Sequence, residues 1–295
     1  MHHSIVYYGF PAVGPRILRA FTTPFSTVSR KYAIVQPMAA AYGGRKMPKI
    51  PLMDCLVLAW FISCWVGYAY FARRKSGEMA SLVVAMRIYR HEWFKRMLGH
   101  ENRIGDVAAL NSLLTGATFF ASTSLLILGG LGAMLGTNNR VLEVVADLPF
   151  ARHDSELVWL VKIFLLIAVF VYAFFKFTWS IRQYNFCAVL MGAAPLTDRP
   201  EEHEDFVGAL TSLASLAAEN NNQGLRAFYF ALAALTWFAH PWLFVAATAF
   251  VVYVLYQREF HSAALHALTR PSTINQSLHL PKEVLANLRL NPASL

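Results

Sequence analysis

An apolar run from Leu157 to Asn185 carries Lys162 and Lys176 inside it and closes with Trp179-Ser-Ile-Arg182-Gln-Tyr-Asn185. It has the length a bilayer-spanning helix requires, about 20 apolar residues. Three more runs of this kind occur along the 295-residue chain. That arrangement predicts an all-α fold: a polytopic membrane helix bundle of four transmembrane helices, with short amphipathic helices at the cytoplasmic side.

Composition agrees with that fold class. Hydrophobic residues make up 56% and charged residues only 15%, against about 25% charged in soluble domains. Much of the surface therefore faces lipid. The net charge of +9 comes with no basic repeat or stacking motif, so it reads as a signal of membrane orientation and not of nucleic-acid binding. Cys55, Cys64 and Cys187 lie in or beside apolar runs. Without CxxC or histidine spacing they suggest neither a metal site nor a disulfide framework, and read as small buried hydrophobes.

The charge-free stretch between Asp54 and Arg73 gives a first span of about 53–71. Leu113 to Gly136 gives the second (113–136) and Leu157 to Ile181 the third (157–181). The fourth lies between Arg226 and Arg258, about 226–256, broken only by His240-Pro241. Two spans of half that length could not each cross, so it is read as one tilted helix kinked at Pro241, with a short re-entrant break at His240-Pro241 as the alternative. A membrane domain over 47–260 follows, with a loosely ordered tail over 261–295.

Basic residues set the orientation. Arg73, Arg74, Lys75, Arg87, Arg90, Lys95, Arg96 and Arg103 follow the first span, whereas Arg140 and Arg152 stand among four acids between spans two and three. The positive-inside rule then puts the first and third connections in the cytoplasm of the inner membrane and both termini outside. Residues 1–46 conflict with this, because the chain up to residue 53 has seven Lys or Arg and no acid. Two readings remain: translation starting at Met47, which is preferred, or a removable Arg-rich presequence. Either way 1–46 is treated as a disordered extension.

Between the spans, Gly77 to His100 alternates apolar and basic residues at helical spacing. An interfacial Trp93 completes the pattern of a helix lying on anionic headgroups; packing against the bundle is the alternative. In the second cytoplasmic connection, Pro200-Glu-Glu-His-Glu-Asp205 opens a helix with acids in its first turn. Glu219-Asn-Asn-Asn222-Gln-Gly224 is expected to end it. The two connections are opposite in sign, so contact between them is expected.

Ionisable groups within spans are costly and are functional candidates by default. Lys176 is near enough to the cytoplasmic end to snorkel, and Lys162 can reach the outer interface, within range of Asp54. His240 falls near mid-membrane and reads first as a hydrogen-bonded packing residue. The glycines of span two, with Ser122 and Ser124, allow close helix approach and place that helix at the centre of the bundle. At the cytoplasmic mouth three helix ends bring together Arg103, Asp106 and Asn111; Lys176, Trp179, Arg182 and Asn185; and Asn222 and Arg226. This cluster is either an ion-pair and hydrogen-bond network locking the bundle, or an anion or headgroup site. It contains no catalytic motif, metal-ligand set or cofactor-binding loop.

Several stretches together resemble a known family. They are Ala59-Trp-Phe61, Glu101-Asn-Arg-Ile-Gly-Asp106, Phe119 to Gly130, Tyr172 to Asn185, Gly224-Leu-Arg-Ala-Phe-Tyr-Phe230 and His240-Pro-Trp242. They resemble the bacterial inner-membrane family called domain of unknown function 599, which also has plant members. The resemblance covers roughly Leu52 to Phe260. It implies an integral membrane protein without an established activity, and it supplies no catalytic residues. The first expectation is accordingly a non-enzymatic accessory or scaffold component, associating as a homo-oligomer or within a larger membrane complex. The alternatives are a small-solute transporter or channel, with Lys176 and His240 on its path, and an enzyme that modifies lipid headgroups.

Overall fold

The computed structural model describes residues 51–75, 81–136, 155–195 and 200–269. All lie within the compact unit Lys49–Leu295. Residues 1–46, and the tail beyond 269, lie outside the described residues. Every described element is helical: α1 (Leu52–Lys75), α2 (Leu82–Leu98), α3 (Ile104–Gly136), α4 (Glu156–Gly192), α5 (Pro200–Leu235), a 3-10 turn (Thr236–Phe238), α6 (Pro241–Phe260) and α7 (Ala263–Thr269). Four segments are long and apolar enough to cross a membrane: Leu52–Lys75, Ile104–Leu135, Leu157–Gly192 and Pro241–Leu268.

The long helices stand side by side in the order α3, α4, α5, α6, α1. Side-chain pairs fix their directions. Ser180 donates to the Ala217 carbonyl at 2.7 Å, while Lys162 donates to the Trp237 carbonyl at 2.9 Å, so α4 and α5 are antiparallel. Phe61 meets Phe244, and Tyr68 reaches Glu259, so α1 and α6 run the same way. α2 packs on α5 at one end of this row, here the α2 end. Asp54, Lys162 and Trp237 meet at the far end.

The structure corrects the fourth span. Residues 226–256 are not one kinked helix. Pro241 has no N–H with which to continue the helix, and α6 starts afresh there with His240 accepting from the Trp242 amide at 3.2 Å. A continuous helix would have satisfied the Trp237 carbonyl with the amide of residue 241. Lys162 takes that carbonyl instead, from full burial on α4. The chain therefore reverses: α5 climbs to the far end and α6 returns, with Arg226 meeting Glu259 at 2.6 Å across the hairpin. Thus residues 52 and 269 stand at opposite ends of the row, the first beside the Asp54–Trp237 contact and the second beside α2.

α5 is polar in its first half: Thr211 and Asn220 are buried against the neighbouring helices, while Glu204 and Asp205 near its start are exposed. The expected helix end at Glu219–Gly224 is absent. Asn220 donates to Gln183 and to the Leu216 carbonyl, and packing on α4 carries the helix through. Gly224 explains the close approach, since a Cβ there would lie 2.6–2.8 Å from the buried Phe177 ring. Phe177 itself stacks on Phe120 of α3, with centroids 5.4 Å apart.

Three further expectations change. The second predicted span, α3, is at the flank of the row and not its centre, and Gly116, Gly129, Gly130 and Gly132 have open space around them. α2 turns Phe94 and Met97 into a core with Leu110, Tyr184, Cys187 and Leu210, so it packs on the bundle and leaves Arg87, Lys95 and Arg96 exposed. Residues 263–269 form α7, whose Leu268 carbonyl accepts from Tyr89. The predicted contact between the oppositely charged connections is present, with His91 3.4 Å from Glu204.

Gly224→Ala should lower stability by about 1–3 kcal/mol through overpacking, read by denaturant titration in detergent. Phe177→Leu in the same chain should recover part of the loss. An unchanged Gly224→Ala protein would contradict the close approach.

Candidate functional site

Polar side chains collect in three places among the described residues. At the far end, the Trp237 indole donates to Asp54 at 3.1 Å, and its carbonyl accepts from Lys162. The ammonium also lies 5.5 Å from the Trp237 ring and 5.6 Å from Phe238. Trp237 thus bridges the acid and the lysine that the sequence suggested as neighbours. Lys162 does not snorkel away; it is only 2% exposed, and burial without partners would be very costly. His240 is at this end too. It is an exposed helix cap.

The second and third places divide the predicted mouth cluster. Arg103 and Asp106 stand beyond the mouth, where α2 turns into α3. The Trp93 indole donates to Asp106 at 2.7 Å, and His100 Nδ1 is 2.8 Å from its other oxygen. Arg103 reaches the Met191 carbonyl at 3.4 Å. His100, Arg103 and His203 line an open groove of about 1030 Å³. Burial raises the Tyr89 phenol on α2 above its ordinary value, and burial lowers Arg90 while the Tyr184 hydroxyl nearby opposes the shift.

Lys176 and Arg226 stand apart from these, on the facing helices α4 and α5. Lys176 donates to Asn220 at 3.3 Å and lies 5.5 Å from the Tyr172 ring. Arg226 pairs with Glu259, which also accepts from Tyr68 at 3.0 Å. Next to that pair, Arg258 donates to the Tyr229 hydroxyl. Lys176, Arg226, Arg73, Glu219 and Glu259 line a cavity of about 380 Å³.

The remaining predicted members do not converge. Asn111, Trp179, Arg182 and Asn185 are exposed; Arg182 covers the Phe186 ring, and Asn222 borders a smaller recess beside Arg226. The helix face Tyr172–Lys176–Trp179–Gln183 is split by environment, since Gln183 is buried and Trp179 points outward. Sequence reasoning missed Tyr68, Arg73, Asn220 and Glu259 as parts of the site. For Glu259 the signal was present: an acid directly after Arg258 at the end of a long apolar run. It acquires meaning only once α6 folds back on Arg226.

Glu259 and Arg226 side chains are 9% and 13% exposed. Glu259→Gln would leave a nearly buried guanidinium unpaired, so it should cost about 3 kcal/mol. Adding Arg226→Gln should return part of that loss. A double variant as damaged as the sum of its singles would contradict a coupled pair.

Neither curated proteins nor solved structures match the chain. The family described as "Protein of unknown function, DUF599" matches residues 56–264. That span covers the helices from the first turns of α1 into α7, including both polar clusters of the α2 end and the His240–Pro241 break. By that match, the chain belongs to the DUF599 family of proteins of unknown function.

Proposed function

We propose that this protein is a non-enzymatic accessory or scaffold component of the inner membrane. Its α2 end lies in the cytoplasm, with Arg87, Lys95 and Arg96 toward anionic headgroups. On that orientation residue 52 is outside and residue 269 inside. What carries the reading is the packing between the two polar ends. Phe61, Phe230 and Phe244 are fully buried; Trp65 stacks on Phe230 at 5.6 Å and Trp237 on Phe244 at 5.0 Å. A path joining Lys176 to His240 would have to run through this aromatic core. The two groups are at opposite ends, which weighs against their serving one solute.

One observation favours the headgroup-modifying alternative. Asp106 orients the His100 imidazole beside the open groove, as a carboxylate orients a general base. Glu101 and His203 share the groove, but no Ser, Thr, Cys or Lys lines it among the described residues, and the accessory reading is preferred.

Purification in mild detergent should recover the protein with a stoichiometric companion, either further copies or a second membrane protein, identified by mass spectrometry. A lone monomer, fully folded and without companions in both detergent and native nanodiscs, would contradict the proposal.

A further inference from the structure

The cavity between α1, α4, α5 and α6 has an unbalanced interior. Its walls carry three cations, Arg73, Lys176 and Arg226, against two carboxylates, Glu219 and Glu259. The carboxylates are already engaged. Glu259 holds Arg226 at 2.6 Å and accepts from Tyr68, and Glu219 accepts from Gln223 at 2.7 Å. Lys176 donates to a neutral amide at 3.3 Å, lies against the face of a tyrosine ring and feels the Glu219 carboxylate across the cavity without a described hydrogen bond to it. An ammonium has three donors, so this one retains capacity for an anionic acceptor.

Depth says where such an acceptor would come from. The apolar stretch of α1 ends at Tyr70 and Phe71, both exposed, and Arg73 follows within one turn. Trp179, one turn past Lys176 on α4, is also exposed. Aromatic side chains of this kind collect at the level of lipid headgroups. About 20 Å of helix separates Lys176 from Lys162 at the other end of the aromatic core, at the usual rise per residue. The cavity therefore opens at the height of one leaflet's phosphates, and its volume of about 380 Å³ is in the range of small-ligand sites, roughly 300–1,000 Å³.

We propose that this cavity seats the phosphate of an anionic glycerophospholipid from the adjoining leaflet, with Lys176 as its point-charge donor and Arg73 as its planar one. Lysine and arginine bind phosphate in these complementary ways. Arg226 shapes the wall but stays with Glu259. The seat is independent of the accessory role: it concerns a lipid, and it stands or falls without any protein companion.

The test is native mass spectrometry of the full chain in detergent, titrated with phosphatidylglycerol, phosphatidylcholine or inorganic phosphate. Wild type should prefer phosphatidylglycerol over phosphatidylcholine by about tenfold, the scale of one charge-assisted contact. Lys176→Met should abolish that preference, Lys176→Arg should keep it, and Arg103→Gln, in the separate groove, should leave it unchanged. Denaturant titration of each variant establishes that it is folded. Equal binding of the two lipids by wild type, or a preference surviving in folded Lys176→Met and Arg73→Gln, would overturn the seat. Displacement of phosphatidylglycerol by millimolar phosphate would overturn the lipid assignment in favour of a soluble anion.

Discussion

A carbonyl without an amide organises this protein. Pro241 cannot donate to Trp237, and in a lipid-facing helix that vacancy would be expensive. Here a lysine from α4 fills it at 2.9 Å. The ammonium is itself tolerable at full burial because it gains that carbonyl and two aromatic faces. Each cost thus removes the other, and the chain reverses at a point where it would otherwise continue. From the reversal follow the α5–α6 hairpin, the pairing of Arg226 with Glu259, and the passage of Tyr68 into that pair.

Two polar levels with an aromatic interior between them result. The interior is held by edge and stacked ring contacts among Phe61, Trp65, Phe230, Trp237 and Phe244. Such contacts add about 0.5–1.5 kcal/mol per pair beyond area burial, and in a bilayer, where helices gain little from the hydrophobic effect, shape-matched packing of this sort carries association. Gly224 against Phe177 is the same principle in another place: a missing side chain lets a large ring fill the seam between α4 and α5.

Much of this was legible in the sequence, and the parts that were not share a cause. α1 and α3 announce themselves as uncharged runs of spanning length and α4 as an apolar run carrying Lys162 and Lys176, although α4 continues well past Arg182 because Tyr184, Cys187 and Met191 keep an apolar face against α5. The hairpin was hidden. Arg226 and Arg258 bracket one apolar stretch interrupted only by His240-Pro241, and a bilayer-length rule does not divide it. α5 completes its traverse with polar residues, Asn220 among them, that only the neighbouring α4 makes acceptable. Likewise the glycines of α3 suggested a crowded centre, but a small residue permits close approach without requiring it. Of the predicted mouth cluster, Lys176 and Arg226 line one cavity and Arg103 lines a separate groove, because α3 and α4 both extend beyond the level where spans were expected to end.

The reversal at His240–Pro241 can be tested directly by modifying single thiols in intact cells, in a chain lacking Cys55, Cys64 and Cys187. Ala239→Cys should react with an impermeant maleimide from one face of the membrane only, and Ala263→Cys from the opposite face only. Reaction of both from the same face, or an Ala239→Cys unreactive from either face as a mid-bilayer kink would be, would contradict the hairpin.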